Sequence, residues 1–302
     1  MRKISIIPGL LIIITFAARA QTQPGMKHDS LAQVTIKGKA PKLPNVQQIS
    51  LRAPDKFKID GKATEWAGQF QAYNTNDDIF YTLANDDKYL YLTLQATNYT
   101  IVNKILGGGV TFTINTSGKK NFKDGVSITY PMINKHDRIW VNSSAMPVII
   151  PGNAASVMQA DSFMNNNNLR LGDKSKLIMV TGIKGVDTLI SLYNQDGIKA
   201  ASQFDNKMAY TYELAIDLKK LGLTVNDAQK FTYNIKLGGV DMAAAWKDVG
   251  ITVVFGEGGM PVSVNMDPGT TTVVKPNLPY KIHVVTFTSP TDFWGEYTLA
   301  KK

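Results

Sequence analysis

Tryptophans, side-chain amides and carboxylates are the residues here with chemistry to offer; cysteine is absent and there are three histidines. An indole is a flat apolar surface on which the apolar side of a sugar ring stacks. Amides, guanidinium groups and carboxylates then satisfy the ring's hydroxyls. Trp246, in Ala244-Ala245-Trp246-Lys247-Asp248, stands among charged residues in an irregular stretch. It reads either as an exposed platform or as the apolar anchor that a long loop needs. Trp140, in Arg138-Ile139-Trp140-Val141, reads first as a core residue and second as another platform. Asn165 to Asn168 form a low-complexity spot, most simply a loop. With Arg170 they would supply polar partners, Asn167 and Arg170 being the candidates for ligand contact.

Carboxylates pair at Asp77-Asp78 and Asp86-Asp87, at opposite ends of one alternating run. A strand of that length separates its ends by ~20 Å, so both pairs cannot hold one ion. Calcium takes several carboxylate or carbonyl oxygens from a flexible loop, and Asp77 with Asp78 is the pair that could begin such a site. Turn capping is the simpler account, since Asp and Asn bond their own backbone. Catalytic signatures are missing from the sequence. It holds no Gly-x-Ser-x-Gly elbow and no His-Glu-x-x-His helix, and Gly107-Gly108-Gly109 runs into a strand instead of opening a helix. His136-Asp137 are merely neighbours.

The elements that must position these residues are strands. Ile79, Tyr81 and Leu83 alternate with Phe80, Thr82 and Ala84, and the same period of two recurs through 89–96, 110–115, 126–130, 210–216 and 231–237. Alternation gives each strand one apolar and one polar face. Many such strands, separated by turn residues, predict an all-β fold: two antiparallel sheets packed face to face, with a few short helices. Thr100 to Leu106 and Asp217 to Leu221 suit about two helical turns or less, and Ala154 to Met164 suits a longer helix. From Gly238 to Pro279 the pattern breaks into Gly- and Pro-rich chain with one plausible strand at 251–255, the kind of insertion that often carries binding residues.

Residues 1–20 read as a secretory signal: Arg2 and Lys3, an apolar run from Ile4 to Phe16, then Ala18-Arg19-Ala20 as the cleavage site. The expected location is therefore secreted, periplasmic or at the cell envelope. The apolar run is shorter than the ~20 residues a bilayer requires, and no later segment reads as a transmembrane helix. Residues 21–48 read as a flexible linker, and 49–302 as a single domain. The 33 basic residues less Arg2, Lys3 and Arg19, against 24 acidic ones, leave the mature chain at +6. Its lysines are scattered and form no stripe, which argues against a nucleic-acid partner.

Four phrases then align: Lys58-Ile59-Asp60-Gly61 with Glu65-Trp66; 81–92; Tyr212-Glu213-Leu214-Ala215-Ile216-Asp217-Leu218; and Phe293-Trp294-Gly295-Glu296-Tyr297. Their order and spacing resemble family 9 carbohydrate-binding modules and the wider DOMON-like superfamily, across roughly 57–299. The resemblance implies a jelly-roll-like β-sandwich, with Trp66 and Trp294 as core aromatics. By analogy it implies a glycan ligand, a poly- or oligosaccharide. Some relatives hold haem through a Met/His pair, but no phrase here matches such a motif, and no cofactor is expected. Three functions stay open: non-catalytic glycan binding, a structural or protein-interaction role in the cell envelope and, third in order, a sugar-active enzyme of unfamiliar type.

Overall fold

The alternating runs become paired strands in the computed structural model. It describes residues 42–66, 68–134, 137–142, 145–226, 229–240 and 288–302, and the backbone of 251–255, 261–266 and 270–272. Trp246, His136, His283 and everything before residue 42 lie outside the described residues. In chain order the strands are β1 (Ala72–Asn74), β2 (Ile79–Asn85), β3 (Tyr89–Ala96), β4 (Val110–Asn115), β5 (Val126–Met132), β6 (Leu177–Thr181), β7 (Leu189–Ser191), β8 (Ile198–Phe204), β9 (Tyr210–Asp217), β10 (Lys230–Leu237), β11 (Ile251–Phe255), β12 (Pro261–Met266), β13 (Thr270–Thr272) and β14 (Thr291–Thr298). One antiparallel sheet has the order β1-β2-β3-β9-β8, and a second has the order β14-β10-β4-β5-β6-β7. Strands β11 to β13 pair among themselves.

The two larger sheets face each other as the alternation predicts. Leu83, Leu92, Leu94, Leu214 and Ile216 from one sheet are buried, as are Phe112, Ile114, Ile128 and Ile235 from the other. Each such side chain contributes about 1.5–3 kcal/mol by leaving water. Tyrosines stitch the layers. Tyr81 and Tyr233 bring their hydroxyls to 3.0 Å across the sandwich, and Tyr130 lies 5.9 Å from Tyr212. Trp294 departs from the core position expected of it. It points away from the sandwich on β14, half-buried, with its ring 5.1 Å from that of Phe122. Its neighbours Phe293 and Gly295 take the inward places, Phe293 against Tyr81 and Gly295 against the Tyr233 ring.

Two α-helices complete the described fold. Helix α1 (Tyr99–Gly108) is capped by Asn98, whose side chain accepts from the Thr100 N–H. Helix α2 (Ala154–Lys174) is capped by Asn153 and runs 21 residues. Asn165 to Asn168 therefore lie in the middle of a helix and not in a loop. No helix among the described residues is long and apolar enough to cross a membrane.

Chain expected to be a free linker is docked from its first described residues. The Gln47 side-chain amide donates to the Leu83 carbonyl and accepts from the Leu83 N–H, both at 2.7–2.8 Å. Leu51 and Ala53 bond Asn85 in turn. This segment completes the edge of β2 beyond the point where short β1 stops, which protects an otherwise open row of backbone groups.

Candidate ligand cleft

The outer face of the first sheet is built of rows that cross four strands. Register sets the first row as Phe80, Gln95, Thr211 and Gln203, and the second as Thr82, Thr93, Glu213 and Ala201. The third is Ala84, Tyr91, Ala215 and Lys199. A strap formed by residues 54–66 and 68–70 crosses this face and seals the second row, where Thr82, Thr93 and Glu213 are fully buried.

The strap is fastened by the phrases that carry the family resemblance. The N–H groups of Asp60 and Gly61 donate to Glu213 Oε2 at 3.0 and 2.9 Å. The Trp66 indole is buried beneath the strap and donates to Thr93 Oγ1 at 2.9 Å. Gly61 has φ +80°, and a Cβ there would stand 2.7 Å from the Ser202 carbonyl carbon, so only glycine allows this approach. Burial pushes the Glu213 pKa up to about 8, against the pull of the two N–H donors; Glu65 and Asp60 add to the rise. Glu213 Oε1 has no hydrogen-bond partner.

The first row stays open and becomes a floor. Helix α2 forms one wall. Asn168 fixes it by donating to the Phe204 carbonyl at 2.9 Å and accepting from the Phe204 N–H at 2.7 Å. The strap forms the other wall. Between them lies a cleft of about 830 Å³ whose lining includes Phe70, Gln95, Met164, Asn165, Gln203 and Thr211. Gln95 donates to Thr211 Oγ1 at 3.1 Å. Among the described residues, the half-buried Gln203 amide and the exposed Asn165 amide make no hydrogen bond. Lys62 and Asp205 sit at the lining with opposite charge, and Asp205 already accepts from the Lys207 and Ala209 N–H groups. Glycoside hydrolysis ordinarily needs two carboxylates flanking the bond; Asp205 is the one carboxylate in this lining among the described residues.

The residues singled out in the sequence do not converge. Trp140 is 39% exposed, beside α1, where the backbone of Val141 is bonded to the Asn103 side chain. Arg170 is exposed on α2, outside the lining. Asn167 cannot serve as a free polar partner, because it is buried and donates to the Phe163 carbonyl within its own helix. Of the asparagine run, Asn165 and Asn168 reach the cleft instead. Asp77 and Asp78 do not act together either. Asp78 accepts from the Tyr73 hydroxyl on one oxygen and from Asn98 on the other. Asp77 is fully buried. Burial raises its pKa, opposed by the Thr291 hydroxyl and the Lys104 ammonium, a cation that would repel calcium. Among the described residues no group of three or more His, Asp or Glu side chains could hold a metal.

Gln95, Thr211, Gln203 and Phe70 escaped the sequence reading. The two glutamines occupy polar positions of alternating strands, a pattern shared by any solvated sheet face. Neither a protein-family model nor a curated protein sequence matches the chain.

Proposed function

We propose that this is an exported, non-catalytic glycan-binding protein whose ligand lies in the cleft between α2 and the strap. The observation that carries the reading is the lining itself. Unsatisfied amides at Gln203 and Asn165 stand beside Phe70 and Met164, offering hydroxyl partners next to an apolar wall. The signal-like N-terminus and the resemblance to carbohydrate-binding modules support the same reading. Screening the mature protein against an array of neutral and acidic glycans tests it. Binding that weakens at least fivefold in Gln203→Ala is expected; an array with no bound glycan at millimolar ligand would refute it.

A second reading, an envelope protein-interaction module, is favoured by one observation. Residues 139–160 contain no charged side chain. Within them Val148 (78% exposed), Ile149, Ile150, Val157 and Met158 (69% exposed) stand in solvent. Exposed apolar surface of this kind often marks a protein contact. Placing a charge in this run, for example with Ile149→Asp, would abolish partner capture on this reading and leave glycan binding unchanged on the first.

A further inference from the structure

We infer that the same sheet face carries a second subsite, on the other side of the strap, which takes the acidic residue of a glycan. This inference rests on the glycan reading above. The third row floors a separate cleft of about 430 Å³, lined by Tyr89, Tyr91, Lys199 and the strap residues Phe57, Lys58 and Asp60. Its base is aromatic. The Phe57 ring meets Tyr91 edge-on at 4.8 Å, and Tyr91 lies 6.0 Å from Tyr89.

Three lysines stand around this cleft, and the Asp60 carboxylate lines it with Lys58 and Lys199. Lys88 Nζ and Lys199 Nζ lie 4.9 and 5.2 Å from the centre of the Tyr89 ring, and Lys58 is exposed on the strap. Among the described residues, none of the three lysines takes part in an ion pair. The acids nearby are turned to other donors. Asp86 accepts from the N–H groups of Lys88 and Tyr89 and from the Tyr91 hydroxyl. Asp217 accepts from the Lys219 N–H, and Asp60 from the Lys62 N–H. Two ammonium groups therefore lie close to one aromatic ring. Such a contact is weak at an exposed site, and a charge-assisted hydrogen bond to an anion is stronger. A carboxylate or sulfate entering the cleft would draw both ammoniums from the ring and leave aromatic edges for the sugar to pack on.

The two clefts also share a direction. Gln95 and Tyr91 lie four residues apart on β3, about 13 Å along the strand. A short oligosaccharide passing over the strap can reach both, with a neutral residue against the amides and an acidic one against Lys88 and Lys199.

The test uses ligands that differ only in charge. Titration calorimetry of the mature protein compares a galacturonan oligosaccharide with its methyl ester, and a sulfated galactan oligosaccharide with its desulfated form. The two pairs separate carboxylate from sulfate. The charged member of at least one pair should bind about tenfold tighter at low salt. That preference should shrink at about 1 M salt, where the screening length is near 3 Å. In the Lys88→Gln/Lys199→Gln double variant the charged and neutral members should bind alike. Both lysines are exposed, so its melting temperature should match the wild type. Equal binding of charged and neutral members by the wild type would overturn the acidic subsite while leaving the amide cleft standing. A preference that survives in the double variant would do the same. No binding of any glycan would remove both proposals.

Discussion

Glu213 makes the strap sensitive to pH in a calculable way. An unfolded glutamate titrates near 4.3, whereas burial raises this one to about 8. The folded protein therefore holds the proton more tightly than the unfolded chain does. The associated stabilisation is fully present below pH 4 or so and is lost as pH rises through about 8. At 1.36 kcal/mol per pKa unit the largest loss is on the order of 5 kcal/mol. Slight lifting of the strap, or entry of water beside Oε1, would lower it. Glu213→Gln is the matching perturbation, because a carboxamide oxygen can still accept from the Asp60 and Gly61 N–H groups but does not titrate. Urea unfolding of both proteins at pH 5, 7 and 9 gives the comparison, and titrations elsewhere in the molecule cancel in the difference. Wild-type stability should fall relative to the variant by at least about 1 kcal/mol from pH 5 to 9, the range in which a group titrating near 8 ionises. Parallel curves, or a wild type that gains on the variant as pH rises, would refute the account of Glu213 as a buried, desolvated latch.

Three further changes probe the rest of the architecture. Gly61→Ala should cost about 2 kcal/mol or more in calorimetric melting, since it combines a left-handed backbone with a Cβ 2.7 Å from Ser202; an unchanged melt would mean that the strap does not press on β8. Gln203→Ala should move stability by no more than about 0.5 kcal/mol while weakening glycan binding, because its amide has no partner among the described residues. Ending the chain before Thr291 should abolish the cooperative melt, since β14 pairs with β10 over eight residues and Tyr297 bonds Leu51; a retained sharp transition would contradict that.

What could be read from the sequence follows from how each feature announces itself. Strands β2, β3, β4, β5, β9 and β10 are legible because each buries one face against the other sheet, and the period of two records that burial directly. Strand β8 is not. Its Lys199-Ala200-Ala201-Ser202-Gln203 is mostly small or polar, because the strap and α2 cover its outer face and leave little apolar contrast between the two sides. The asparagine run looked like a loop because asparagine is a poor helix former. Tertiary contacts override that preference: Leu171 is buried, and Asn168 bonds both backbone groups of Phe204.

The cleft is harder to read than the fold for a geometric reason. Gln95, Thr211 and Gln203 become neighbours only through strand register, and the residues that wall them come from the strap and from a helix in a different part of the chain. No local spacing encodes such a site. The phrases that were legible, Asp60-Gly61, Trp66 and Glu213, turn out to grip one another beneath the strap. They hold the walls of two clefts and, among the described residues, line them only at their margins. In this chain those phrases serve the scaffold. In the proposal made above, the chemistry that chooses a ligand sits instead at Gln203, Asn165, Lys88 and Lys199. None of these four side chains takes part in the latch, so on this reading the ligand can change while the fold stays the same.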